Sequence, residues 1–271
     1  MGELDKFKGK GGLPAKPALG AASTKMPDWA TKTPKTSASA ADRIVRGTTA
    51  RFAIAIDATG SMSGLIDTAK RSITEILKRV IAGAGRPVEI MLVAYRDYDV
   101  PSDIVDTSML TKDANALIGW LGRVEAHGGG ANDGEAVERA LEVILEKGMF
   151  DAIVVAGDEP PNSAASIRKA MGKDAPSAED FARRFGQAKI PIHTFVVGDD
   201  ERTVRGFQKL SALSGGKSGK LDGSAEMIDM AVMAMLAKLK GSDGVKAYMR
   251  DYQVTSSAAD FGKLLLEGPK K

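Results

Sequence analysis

Four short, nearly continuous apolar segments constrain this chain more than anything else in it: FAIAI (52–56), EIMLVAY (89–95), DAIVVA (151–156) and IPIHTFVV (190–197). Each has strand length and lacks the polar alternation of a half-exposed strand, so each is expected to be covered on both faces. Longer amphipathic stretches lie between them. After the first segment, Ile66, Ala69, Ile73, Ile76, Leu77 and Val80 recur at three- and four-residue intervals until GAGRP (83–87) stops the run. Further helices are expected over 111–122, 133–147, 177–188, 201–213 and 224–239, with a weaker candidate at 258–266. Parallel neighbours need crossover connections, so this alternation predicts an α/β fold: a doubly wound, mostly parallel sheet with helices on both faces. Ile104 and Val105 follow the second strand too closely for a helical crossover and are expected in one antiparallel edge strand.

Composition sets the limits of this domain. Residues 1–45 are rich in Gly, Pro, Ala, Ser, Thr and Lys and almost free of large apolar groups, which predicts an extended tail. The folded domain is expected over 46–240, with 241–271 as a C-terminal appendage. Trp29, in PDWATKTP, is expected either to dock the tail on a partner or to pack on the chain's own domain. Residues 1–36 hold seven Lys against three acidic residues, whereas the whole chain carries only +3. The folded part is therefore not basic, and a nucleic-acid-binding face is not expected. No apolar run approaches the roughly 18 residues of a membrane span, and the N-terminus lacks the apolar stretch of a secretory signal. Lys6 stands where a myristoylation signal needs Ser or Thr. With no cysteine, disulfides and thiolate metal sites are excluded, and a reducing compartment, the cytoplasm, is the natural expectation.

In open α/β sheets ligands bind beyond the carboxyl ends of the strands, where the winding reverses. Two loops there carry carboxylates. Asp57-Ala58-Thr59-Gly60-Ser61-Met62 follows the first strand, and Gly157-Asp158-Glu159-Pro160-Pro161 follows the third apolar segment. The D-x-T-x-S spacing puts one carboxylate and two hydroxyls on the same side of a tight turn that Gly60 allows. Such all-oxygen donors suit a hard cation, Mg²⁺ first and Mn²⁺ or Ca²⁺ after it, better than zinc. Taken alone, Asp57 and Ser61 also read as helix N-caps.

At these residues the sequence resembles the von Willebrand factor A family, whose metal-ion-dependent adhesion site has a DxSxS signature matched by Asp57, Thr59 and Ser61. The resemblance continues through AYRDYD (94–99), GGGANDGEAVERAL (128–141) and VVAGDEPPN (154–162), and covers about residues 50–240. It implies that Thr59 and Ser61 bind the metal directly and that Asp158 acts through water. The family's second loop commonly supplies a threonine, which GGGANDGEA lacks; Asp133 takes its place, with Asn132 behind it. The competing reading makes Asp133 the N-cap of the following helix. The resemblance implies a metal-dependent protein-interaction module of intracellular prokaryotic type, in a multi-protein assembly or beside an AAA+ ATPase. Alternatives are a metal-dependent hydrolase, for which only Glu159 and Asp97 offer a base, and a structural subunit with a vestigial metal site.

Other signals carry less. Gly216-Lys217-Ser218 lacks the first glycine of a phosphate-binding loop, because Ser211 stands there. His193 is expected in the core and His127 in a loop, neither placed as a general base. Met230, Met233 and Met235 read as core filling on the last helix, and Arg96 and Asp97 as a local ion pair.

Overall fold

The computed structural model describes residues 49–267 except 131 and 149. The expected tail, with Trp29, lies outside the described residues. Six strands form one sheet in the order β3-β2-β1-β4-β5-β6: β1 (Ala50–Asp57), β2 (Val88–Tyr95), β3 (Val105–Thr107), β4 (Ala152–Gly157), β5 (Ile192–Val196) and β6 (Ser218–Lys220). Every pairing is parallel except β2 with β3, so the expected antiparallel edge strand is present.

The eight helices among the described residues are α1 (Ser63–Ala84), α2 (Ala114–Leu121), α3 (Val137–Lys147), α4 (Ala164–Met171), α5 (Ala178–Gln187), α6 (Glu201–Ser214), α7 (Ser224–Asp251) and α8 (Ser256–Leu266). They cover both faces. Phe52, Ile54, Ile56, Ile90, Leu92, Ala94, Val154 and Ala156 join one buried cluster with α1, α2, α7 and α8. The alternate residues Ala53, Ala55, Met91, Val93, Ile153 and Val155 are equally buried but lie outside that cluster. Successive side chains of a strand point to opposite faces, so these turn toward the second layer, where α3, α5 and α6 pack on one another.

Residues 241–267, expected as an appendage, contribute Val245, Tyr248, Ala258 and Phe261 to the first cluster. α7 runs through the expected boundary with only a kink at Gly241, whose φ is 61°. Phe261 packs edge-on against Phe195 and His193. Met230, Met233 and Met235 are fully buried, as a core role requires. Two short elements carry no apolar signal: β6, whose sequence is SGK, and α4, which Ser163 caps and Gly172 ends in the left-handed conformation.

Candidate metal centre

The chain leaves β1 toward β2 and β3 and returns to pair β4 on the other side of β1, so the winding reverses between β1 and β4. A crevice is expected at their carboxyl ends. Asp57 is the last residue of β1, and Asp158 follows Gly157, the last of β4. Tyr95 lies beside Asp57 in the ladder, and its hydroxyl donates to the Ala156 carbonyl at 3.1 Å. A Cβ at position 157 would stand 2.5 Å from that hydroxyl and 3.2 Å from Asp57 Oδ2, so only glycine fits between them.

The first loop is shaped by its own side chains. Asp57 Oδ1 accepts the Thr59 amide at 2.8 Å and the Thr59 hydroxyl at 2.7 Å. The Ser61 hydroxyl is 3.3 Å from that of Thr59. Asp57, Thr59 and Ser61 therefore share one side of the turn. Neither Asp57 nor Ser61 caps a helix: the 3₁₀ turn at Gly60–Met62 and α1 both begin without a side-chain cap. The glycine loop closes over this turn, with the Gly60 amide donating to Gly128 and the His127 amide to Ala58. Gly129, at φ 96°, lies so near that an added Cβ would be 3.0 Å from the Thr59 Cβ.

Electrostatics single out two oxygens. Asp57 Oδ2 and Asp158 Oδ1 are buried and have no hydrogen-bond partner. Burial, reinforced by the Asp158 carboxyl, pushes Asp57 up to about 7 even though the two bonds from Thr59 pull the other way. A third carboxyl, Glu135, is nearly as buried, and its Oε2 is also unpartnered. Burial, with Asp57, Asp97 and Asp158 nearby, raises it to about 9.

A family model described as von Willebrand factor A domain matches residues 51–221. The chain belongs to the von Willebrand factor A (VWA) family. Domains of this family are protein-interaction modules. Solved structures align with it at low identity. BatB of Bacteroides thetaiotaomicron is 16% identical, with 70% of this chain and 99% of that one covered and a TM-score of 0.49. A von Willebrand factor type A protein of Catenulispora acidiphila gives 16%, 71%, 43% and 0.48 for the same measures. The SpRpn10 VWA domain gives 13%, 68%, 94% and 0.45. A search of curated proteins found no match.

Asp133 of the VWA second loop is placed elsewhere than the sequence suggests. Its Oδ1 accepts the Ser166 hydroxyl at 2.6 Å and the Ser163 amide at 3.3 Å, and these bonds hold its pKa below the ordinary value. It thus braces the start of α4, which follows the Asp158 loop in the chain, and does not cap α3, whose N-cap is Ala136. From the same loop it is Glu135 that lies within electrostatic reach of Asp57 and Asp158. Its cue in the sequence is the Gly-Glu immediately before the apolar helix.

Arg96 and Asp97 do not pair with each other. The Arg96 guanidinium binds Asp103 at 3.1 Å and the Glu125 carbonyl at 2.7 Å. Asp97 accepts side-chain amides of Asn132 and Asn162. His193 is buried in β5 and half-exposed His127 lies in the glycine loop, as expected. Glu159 pairs with Arg202 at 3.6 Å.

Among the described residues, no group of three or more His, Asp or Glu is arranged to hold one ion. The donors that converge are two carboxylates and two hydroxyls. Their orphaned, mutually repelling oxygens fit a small hard cation, which two carboxylates would neutralise while water fills the remaining positions. No helix of the described residues is long and apolar enough to cross a membrane.

Proposed function

We propose that this VWA domain holds one divalent cation, Mg²⁺ in preference to Mn²⁺ or Ca²⁺, at a metal-ion-dependent adhesion site formed by Asp57, Thr59, Ser61 and Asp158, and uses it to recognise another protein. One observation carries the reading: Asp57 Oδ2 and Asp158 Oδ1 are buried with no donor for either, and the Asp158 carboxyl lies within electrostatic reach of Asp57. A buried carboxylate oxygen without a partner is costly, and two together more so, unless a cation balances them. When bound, the ion would supply Lewis acidity toward a partner's carboxylate, or simply hold the loops in shape. Thr59 and Ser61 would offer their hydroxyls, and the Thr59 bonds to Asp57 fix that carboxylate's orientation beforehand.

The resemblance of DATGSM to intracellular prokaryotic VWA proteins supports a place in a multi-protein assembly, with an AAA+ ATPase as one expected neighbour. The basic segment at residues 1–45 is then a docking arm. A hydrolase finds less support, because Glu159 is engaged by Arg202 and Asp97 by two asparagine amides.

Thermal melting tests the metal reading. Ligand at about 100 times its Kd stabilises by about 2.7 kcal/mol, which raises Tm by about 5–10 °C for a domain of this size. Wild type in MgCl₂ should show that rise over EDTA, and Asp57→Asn should not. Identical wild-type curves in saturating Mg²⁺, Mn²⁺ and EDTA would refute the site.

A further inference from the structure

Three loops meet behind the candidate centre, and one side chain joins them. Asp97, two residues past the end of β2, is fully buried. Its two oxygens accept the Asn132 side-chain amide at 3.0 and 2.8 Å, and its Oδ1 also accepts that of Asn162 at 2.9 Å. Asn132 belongs to the loop that carries Glu135, and Asn162 to the loop that carries Asp158.

Those two loops are already zipped edge to edge. The Glu135 amide donates to Pro160 and the Asn162 amide to Glu135. The approach is so close that a Cβ on Gly134 would overlap the Pro160 carbonyl. On the β4 side the Thr203 hydroxyl also holds the Asp158 carbonyl at 2.8 Å; on the β2 side the zipper needs bonds of its own. The Ala136 amide donates to the Arg96 carbonyl, and Asp97, the next residue, bonds the end of β2 to side chains of both loops. A carboxylate that takes several N–H donors forms stronger bonds than a neutral acceptor would.

We propose that Asp97 is the positioning residue of the centre: a buried anionic latch that binds Asn132 and Asn162 and thereby sets the Asp158 loop against Asp57. The proposal rests on the metal reading for its consequence but not for its geometry. The side-chain hydrogen bonds described for Asp97 go to Asn132 and Asn162, and it acts through these two asparagines.

Hydrogen exchange in EDTA tests the latch without metal. In Asp97→Ala, the Glu135 and Asn162 amides should exchange at least tenfold faster, while Ile54 in β1 and Val154 in β4 keep their wild-type rates. Asn162→Ala, which removes one donor and leaves Asp97 in place, should loosen residues 158–163 in the same way even if Asp97→Ala folds poorly. Asp97→Asn retains one acceptor oxygen and should recover part of the protection. Calorimetry should then show Mg²⁺ binding at least tenfold weaker in Asp97→Ala than in wild type. Unchanged exchange in both loops, or acceleration spread evenly through the sheet, would overturn the latch. If wild type binds no Mg²⁺ but the loops loosen as described, the metal reading falls and the latch stands.

Discussion

Lowering the pH should destabilise this protein through a residue remote from the candidate centre. His193 sits in β5 with its ring edge-on to Phe261 at 6.0 Å, and its Nδ1 accepts the Lys217 amide at 3.2 Å. The ring is therefore held neutral, in a tautomer with the proton on Nε2. Burial, helped by the positive charges of Lys217 and Lys238, lowers its pKa from 6.5 to about 4. The sign follows from linkage. The unfolded chain takes up the proton near 6.5 and the folded one only near 4, so the contribution is fully present above 6.5 and is lost as pH falls between these values. The whole gap is worth about 3 kcal/mol, and at pH 4.5 about 2.5 kcal/mol has gone.

Urea unfolding of wild type and His193→Asn at pH 7.5 and 4.5 isolates this contribution. Asn Oδ1 replaces the Nδ1 acceptor, so the variant keeps the bond to Lys217 and loses only packing, which costs the same at both values. The pH-induced loss should be about 2.5 kcal/mol larger in wild type than in the variant. Equal losses within about 0.5 kcal/mol, or an NMR titration of the His193 ring with its midpoint at 6 or above, would refute the reasoning.

Three more outcomes follow from the packing. Asp57→Asn, whose side-chain amide can donate toward the orphaned Asp158 oxygen, should melt above wild type in EDTA at pH 8, as scanning calorimetry would show. Gly157→Ala pushes a methyl against the Tyr95 hydroxyl and should cost about 1–3 kcal/mol in urea denaturation. Phe261→Ala should cost about 3–5 kcal/mol, whereas a loss under about 1 kcal/mol would mean that α8 is not part of the core.

The sheet was readable because its central strands are buried on both faces, which writes a continuous apolar run into the sequence. β1, β2, β4 and β5 begin and end within about two residues of the expected segments. β6 was not readable, because an edge strand of three residues needs no apolar signature; its Gly219 is required instead by the close approach of Met230 and Phe261. α4 was hidden for a related reason: only Ile167 of its eight residues is buried, so it has no apolar stripe to detect. At the candidate centre, Asp57 and Asp158 stand at strand ends that the apolar runs already mark. Inside the second loop no strand fixes the side chains, and Asp133 bonds to Ser163 and Ser166. There a shift of two positions decides whether a carboxylate faces the crevice or the next helix, and nothing local distinguishes Asp133 from Glu135.

That distinction gives Asp133→Thr a different expected outcome from the one the family pattern suggests. Were Asp133 a ligand, a third anion beside Asp57 and Asp158 would overcompensate a divalent cation, and one charge at about 4 Å in an effective dielectric of about 20 is worth roughly 4 kcal/mol. Its replacement by threonine would then change metal affinity by orders of magnitude. In the structure, however, the Asp133 carboxylate is exposed and committed to Ser163 and Ser166. An exposed charge is screened by solvent, so its influence on the centre is small. Asp133→Thr should leave the Kd for Mg²⁺ within about threefold and instead cost about 1 kcal/mol of stability, the usual value of a helix-start acceptor. Calorimetric titration of both proteins at one ionic strength decides between the two. A change in Kd of a hundredfold would place Asp133 among the ligands and require the second loop to rearrange when the metal binds.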